Sequence, residues 1–469
     1  MVFKMPVIFR TSLLLSFFFI FSVFFYSHAM AAETKGNQQL VDVLRYAYEN
    51  NPTLRAARAE LRAVQENLPQ AQSGWKPFVD ASGNISNVKI DGSNFGGEGT
   101  TSKEVEFGVN QPLYRGGRTV AATEGAEEKI MAQRALLAAL EQDVMLGVAT
   151  SYMDVIRDRA LLDLSANNET VIGKDREATQ DRFDVGELTL TDVAQAEARL
   201  ARAQAERIRA SGNLQTSLAS YEQVSGQRAG ELVNPVFHFE IPGNLDQAIA
   251  DAEDHNPSVI AVRYLHNASE ENIDEVFGEL LPELALFGSW NRQFDPQPGL
   301  LKESTTQTVG ISASIPLYQA GAVRSRVRQA RHVANQRYLE TLESRRDIRQ
   351  QVITSWENLK AAEAEIRSRE SQVKASHLAQ EGVRAENTLG ARTILDTLNA
   401  EQEYLDAQAT LISAQRNRIV AEFELVATLG LLTPETLGLP DFSGQFEAHL
   451  DEISWKILGT DVDLDEDTP

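Results

Sequence analysis

The chain has 469 residues, with 44 Lys and Arg against 67 Asp and Glu for a formal charge of −23. That length holds two or three ordinary domains or one extended assembly, and the acidic balance excludes a nucleic-acid binder, because no basic footprint is left to meet phosphates. The absence of cysteine excludes disulfides, thiolate metal sites, thiol catalysis and a lipid on an N-terminal Cys, and a mean hydropathy of −0.28 excludes a bundle of membrane helices.

At the N-terminus, Lys4 and Arg10 precede an apolar run from Thr11 to Tyr26, and Ala29-Met30-Ala31 offers small residues at both cleavage positions. Residues 1–31 read as a secretory signal peptide, with an uncleaved anchor as the alternative. No later stretch reaches the roughly 20 consecutive apolar residues of a membrane helix, so any entry into a membrane has to be as a β-barrel.

Beyond the signal the chain repeats itself at an offset of 204 to 205 residues. Asn51-Pro52 recurs as Asn256-Pro257, Pro112-Leu113-Tyr114 as Pro316-Leu317-Tyr318, Gly186 as Gly390, Thr189 as Thr393, Asp192 as Asp396 and Gly226 as Gly430. One register held over so long a stretch divides the chain into a first repeat at 32–230 and a second at 231–440. The offset slips by one residue between Gly83/Gly288 and Pro112/Pro316, which places a loop of unequal length there.

Each repeat opens with a short helix, Leu40 to Asn50 and Leu245 to His255, followed by Asn-Pro with the proline suited to the first turn of a second helix. Alternating segments come next. Val105, Phe107 and Val109 interleave with Glu104, Glu106, Gly108 and Asn110, and Val309, Ile311, Ala313 and Ile315 interleave with Thr308, Gly310, Ser312 and Ser314. One apolar and one polar face at period two is the pattern of a strand between lipid and a wet lumen, with the edge of a soluble β-sandwich as the alternative. These segments predict strands at about 103–113 and 305–317. Their partners lie at about 78–90 and 283–294, joined to them by loops at Asp91 to Ser102 and Asp295 to Ser304.

Proline-free helical patterns then run from Arg118 to Asp184 and from Ala322 to Thr388, each long enough to reach about 100 Å at 1.5 Å per residue. Leu137, Leu140, Val144, Val148, Tyr152 and Val155 step by three and four, which is a packing stripe. Gly186 and Gly390 end these helices, and return helices are expected at 191–226 and 393–430, making two hairpins. The segment 441–469 ends in Asp461, Asp463, Asp465, Glu466 and Asp467 and reads as a solvated acidic tail; its spacing does not match a calcium loop.

On these residues the chain resembles the TolC family of outer-membrane channel proteins over nearly all of its length after the signal. The motifs that carry the resemblance are the hairpin tips, Arg182 to Val193 and Leu389 to Asp396, and the strand-to-helix turns after Pro112-Leu113-Tyr114 and Pro316-Leu317-Tyr318. The resemblance implies a mainly α fold with β, in which a homotrimer gives four strands per protomer to a twelve-stranded barrel in outer-membrane lipid. It also implies a periplasmic α-helical barrel closed at its inner end by the tips and opened by an iris-like movement.

The family's function is then expected: an exit duct of a tripartite efflux or type I secretion system, reached through a periplasmic adaptor and energised by an inner-membrane transporter such as an ABC or RND pump. The family's constriction maps onto Thr191, Asp192, Arg392 and Asp396. It departs at Asn387, where the family has an aromatic residue, and at Asn399, where it has a second acid. A helix cap is the other reading of Asp192, and a solvated surface charge that of Arg392. Gly186, Leu188, Gly390 and Thr393 are the expected adaptor-docking tips.

Nothing points to an enzyme, a cofactor or a metal. His238, His255, His266, His332, His377 and His449 are scattered without ligand spacing, and no phosphate loop, Gly-x-Ser-x-Gly or His-Glu-x-x-His motif occurs. The rival class is a structural coiled-coil spacer of the envelope, which would have no use for paired amphipathic strands.

Overall fold

The structure is a computed structural model that describes residues 37–89, 100–237, 239–297, 301–440, 442–456 and 459–460. The expected signal peptide, most of the first strand loop and the terminal acids from Asp461 lie outside these residues. After a short strand β1 (Asn37–Gln38), the helices α1 (Leu40–Asn50), α2 (Pro52–Gln65) and α3 (Asn67–Gln72) lead to β2 (Phe78–Val88) and β3 (Thr100–Arg115). The long α4 (Arg118–Asp184) and its return α5 (Leu190–Ser225) follow. After β4 (Glu231–Leu232), which pairs parallel with β1, the order recurs as α6 (Leu245–His255), α7 (Pro257–Gly278), β5 (Glu283–Gln297), β6 (Leu301–Ser314), α8 (Ala322–Thr388) and α9 (Ile394–Thr428).

The Asn-Pro dipeptides act as joints. Asn51 Oδ1 accepts the backbone N–H of Thr53 at 2.8 Å and caps α2, while its Nδ2 donates to the carbonyl of Val224 at 3.1 Å in the last turn of α5. Asn256 repeats both bonds, accepting from Ser258 N at 2.9 Å and donating to Thr428 O at 2.9 Å. One amide thus satisfies an orphan N–H at one helix start and an orphan C=O at another helix end, and it stacks α2 on α5 and α7 on α9.

The strands form one antiparallel sheet in the order β2-β3-β5-β6. The expected loop at Asp295 to Ser304 is shorter than the alternation suggested. Glu303 pairs with Phe294 and Ser304 with Gln293, so those residues belong to the ladder, with an irregularity between Phe294 and Gln297 where Asp295 takes φ 53°. At the other end β6 stops at Ser314 and does not reach 317, because Pro316 has no N–H to donate.

Both long helices are entered through left-handed glycines, Gly117 and Gly321. At Gly116 the need is steric as well as conformational: φ is 65° and an added Cβ would lie 2.3 Å from the carbonyl oxygen of Gly278. Along α4 several of the buried positions are small (Ala121, Gly125, Ala126, Ala132, Ala135, Ala149), which lets α5, α7 and α9 lie close against it. The main core gathers where α1 crosses α4. Leu40, Val43, Leu44 and Ala47 pack with Met145, Val148, Tyr152, Tyr221 and Phe423, and full burial of each large side chain contributes about 2 kcal/mol. The Tyr152 hydroxyl donates to Val233 O at 2.6 Å and accepts from Val233 N at 3.0 Å, pinning the connection between the halves.

The segment from 441 departs from the expectation of a solvated tail. Ser443–Trp455 forms α10, with Phe446 and Ile453 buried, and Gln65 Nε2 donates to Phe446 O at 2.9 Å. The rings of Tyr48 and Phe442 stack with centroids 5.4 Å apart, and the Arg58 guanidinium lies against both, 4.7 and 4.6 Å from their centroids. The acids crowd the last nine residues of the segment, but upstream of them Phe446 and Ile453 fall on one face of a helix that finds α2 and α3.

Candidate functional site

The tips are built twice by the same local chemistry. At the end of α4, Gly186 (φ 80°) lets its own N–H reach Phe183 O and that of Glu187 reach Arg182 O, both at 2.9 Å. At the end of α8, Gly390 (φ 79°) repeats this with Asn387 O and, through Ala391, with Glu386 O, again at 2.9 Å. This pair of bonds is the glycine stop that satisfies terminal carbonyls. The return helices start with reciprocal caps. Thr189 Oγ1 accepts from Asp192 N at 3.3 Å while Asp192 Oδ2 accepts from Thr189 N at 2.9 Å, and Thr393 with Asp396 repeats the box at 3.2 and 3.0 Å. The cap is therefore Thr189, two residues before the expected start at Thr191, which is exposed on the first turn.

Hydrogen bonds from Thr189 and Thr393 hold the carboxyls of Asp192 and Asp396 below their ordinary pKa. Arg392 points at Glu386 of its own tip, Nε to Oε2 at 2.9 Å, and this pairing raises its pKa further. Asn387 donates to Arg392 O at 2.9 Å, so the side chain in the place of the family's aromatic fastens the tip backbone. Asn399 accepts from Arg199 of α5 at 2.7 Å. Within one protomer the candidate constriction residues thus fall into two groups, Thr191 and Asp192 at the first tip and Asn387, Arg392, Asp396 and Asn399 at the second, and Arg199 with Asn399 ties the hairpins together. Gly186, Leu188, Gly390 and Thr393 lie at the outermost turns, beside exposed Val185, Leu190 and Leu389.

Sequence reading missed Arg182, Glu187, Glu386 and Arg199. Arg182 pairs with Glu187 at 3.1 Å, and at the equivalent place in the second repeat Glu386 pairs with Arg392. The sign reversal between Arg182 and Glu386 at the 204-residue offset was the available signal.

At the opposite end the ladder sorts the sheet into two faces. Val79, Ala81 and Ile85 of β2, Val105, Phe107 and Val109 of β3, Leu286 and Trp290 of β5, and Val309 and Ile311 of β6 share one face. On it Phe107 meets Trp290 with ring centroids 5.7 Å apart, and Val309 and Ile311 are 82% and 70% exposed. The other face carries Asp80, Ser82, Asn84, Glu104, Glu106, Asn291, Thr306 and Thr308, with Glu104 accepting from Asn291 and Gln293. An apolar and a polar face on one sheet suit lipid on one side and water on the other. Among the described residues no helix is long and apolar enough to cross a membrane, and no group of His, Asp or Glu is arranged to hold a metal.

Two long helical hairpins carrying an amphipathic four-stranded sheet define a class: outer-membrane channel proteins with a helical extension. A family model described as outer membrane efflux protein matches residues 43–227 and again 248–431. The outer membrane efflux protein BepC of Brucella suis is 32% identical over 90% of this chain and 92% of its own. The outer membrane protein TolC of Vibrio cholerae is 26% identical over 85% and 92%. The crystal structure of the CmeC outer membrane channel of Campylobacter jejuni shares the fold, with a TM-score of 0.75 over 89% of each chain at 15% identity. The chain belongs to the outer membrane efflux protein family, the TolC-type channels. It is a non-catalytic exit duct of the outer membrane, extending into the periplasm and serving a multipart transport system.

Proposed function

We propose that three copies of this chain assemble into one duct, each giving its four strands to a twelve-stranded barrel and its two hairpins to a helical barrel that the tips close. The observation that carries this reading is the two-faced sheet. Four strands leave two open edges, β2 and β6, and a face of exposed Val, Ile and Phe, and closure with further copies removes the edges while lipid covers the face. The two repeats present equivalent tips, so a trimer offers six, and a periplasmic adaptor fits into the grooves between them. The inner-membrane pump, of the ABC or RND kind, supplies the energy. Opening is an outward swing of the tips, resisted at each second tip by Arg392, Asn387 and the Thr393–Asp396 cap.

Between cargo classes, the reading favours the secretion or general-purpose branch over the lipid-anchored efflux branch, because the chain has no cysteine to carry a lipid. The test is purification from outer membranes in detergent followed by mass measurement and planar-bilayer recording. A particle of three protomers that conducts ions supports the duct; a monomer that stays folded in water without detergent, as a coiled-coil spacer would, refutes it.

A further inference from the structure

A carboxyl pair near the tips is unused by the duct mechanism above. Glu401 on α9 is 4% exposed, and neither of its carboxyl oxygens has a hydrogen-bond donor. It faces Asp175 of α4, whose Oδ2 is also buried without a donor, so three buried acceptor oxygens meet across the seam between the first and second hairpins. Two unprotonated carboxylates in that position repel each other, and a single proton between them turns the contact into a charge-assisted hydrogen bond.

The charged surroundings do not supply that donor from elsewhere. From α8, Arg384 reaches only the other oxygen of Asp175, Nη2 to Oδ1 at 3.5 Å. On α5, Arg199 bonds Asn399 and Glu197 pairs with Arg176 of α4. His377 of α8 lies against the Tyr404 ring, one turn along from Glu401, and 3.8 Å from Glu381. Burial, and then the charge of Asp175, push Glu401 up to about 7.

We infer that Glu401 and Asp175 form a proton-dependent latch between the hairpins: one shared proton holds α9 against α4 and keeps the tips closed, and loss of that proton separates the two helices. The direction follows from linkage. Because the carboxyl pKa is raised in the latched form, the latch stabilises closure fully at low pH and loses its effect as pH rises through about 7. This is opposite to the tip caps, whose depressed carboxyls stay charged throughout that range.

The latch rests on the duct reading, and the experiment separates the two. Full-length protein is inserted in planar bilayers and its conductance is recorded while the pH on the tip side is stepped from 5.5 to 8.5, values bracketing the titration by about 1.5 units either way. The parent channel is expected to open progressively with rising pH. Glu401→Gln, which keeps the shape and cannot lose a proton, is expected to stay at the low-pH conductance across the range. Arg384→Gln removes a facing cation and is expected to move the midpoint up by roughly 1 pH unit. Heat-resistant trimers on gels check that both variants assemble. A parent that conducts without pH dependence, or a Glu401→Gln channel whose pH profile matches the parent, overturns the latch and leaves the duct standing. Failure of the assembled parent to conduct at all overturns the duct as well.

Discussion

Asp396 holds two positions at once, as the charge expected to ring the closed tip and as the acid that caps α9, and both bonds its carboxyl accepts from Thr393 use the same oxygen, Oδ2. In the proposed trimer, threefold symmetry would turn its charge into a ring of three in a narrow, poorly screened opening. Asp396→Ala therefore removes charge and cap together, whereas Asp396→Asn removes the charge and keeps an oxygen for Thr393 N. Single-channel recording should show cation preference lost in both, with the tip destabilised only in the Ala variant. Since the Thr393 bonds depress the Asp396 carboxyl, the preference and the cap should persist as pH falls through the ordinary carboxylate range and fade only below it. Arg392→Ser cuts the pair with Glu386 and should raise conductance at neutral pH. If both tip variants conduct like the parent, the constriction lies elsewhere in the duct. With Asn399 bonded to Arg199 in place of a second acidic ring, block by multivalent cations should be weak.

At the scale of elements, neighbouring residues of β6 make the sharpest comparison. Val309 stands on the apolar face opposite Gly288 and Thr308 on the polar face opposite Ser289. Val309→Arg should cost about 2–4 kcal/mol at the middle of the membrane and reduce the yield of heat-resistant trimer, and Thr308→Arg should assemble like the parent. Equal yields would mean that the face taken for lipid is not lipid-exposed. The strand faces were legible because period two survives any tertiary arrangement, and so were the helix stops at Gly186 and Gly390 and the start at Thr393, whereas the first return helix is capped by Thr189 and not begun at Thr191 as expected. The ends of the β5–β6 hairpin were less so, since polar Glu303 and Ser304 look like loop until a ladder partner is known. The helix α10 was hidden in the same way by the acids that follow it.

For the whole molecule, orientation is the testable quantity. Photo-crosslinkers placed in cells at Leu188 and Ala391 should capture a periplasmic partner, since these residues sit at the outermost turns of the hairpins, far from the sheet. Capture from the β5–β6 turn and never from the tips would reverse the proposed direction. Assembly also bears on Gly116, which has a counterpart in Ala320 at φ 50°: the second repeat tolerates a Cβ there, while in the first Gly278 O stands in the way. Gly116→Ala should therefore lower trimer yield by displacing α7 from the start of α4.

By itself the sequence determined the parts and their order: two repeats, paired amphipathic strands, helices too long for a globule, and glycine and threonine at their turns. Each of these follows from interactions among residues close along the chain, where backbone preference and side-chain period act without knowledge of the rest. Only the tertiary structure decided which distant groups meet. Asn51 reaches Val224, Arg199 reaches Asn399, Arg58 lies against the stacked rings of Tyr48 and Phe442, and Glu401 is buried against Asp175. Such contacts depend on how whole helices pack. So does the pKa of a carboxyl such as Glu401, which is set by the water and charge that packing removes or brings close, quantities no local pattern carries.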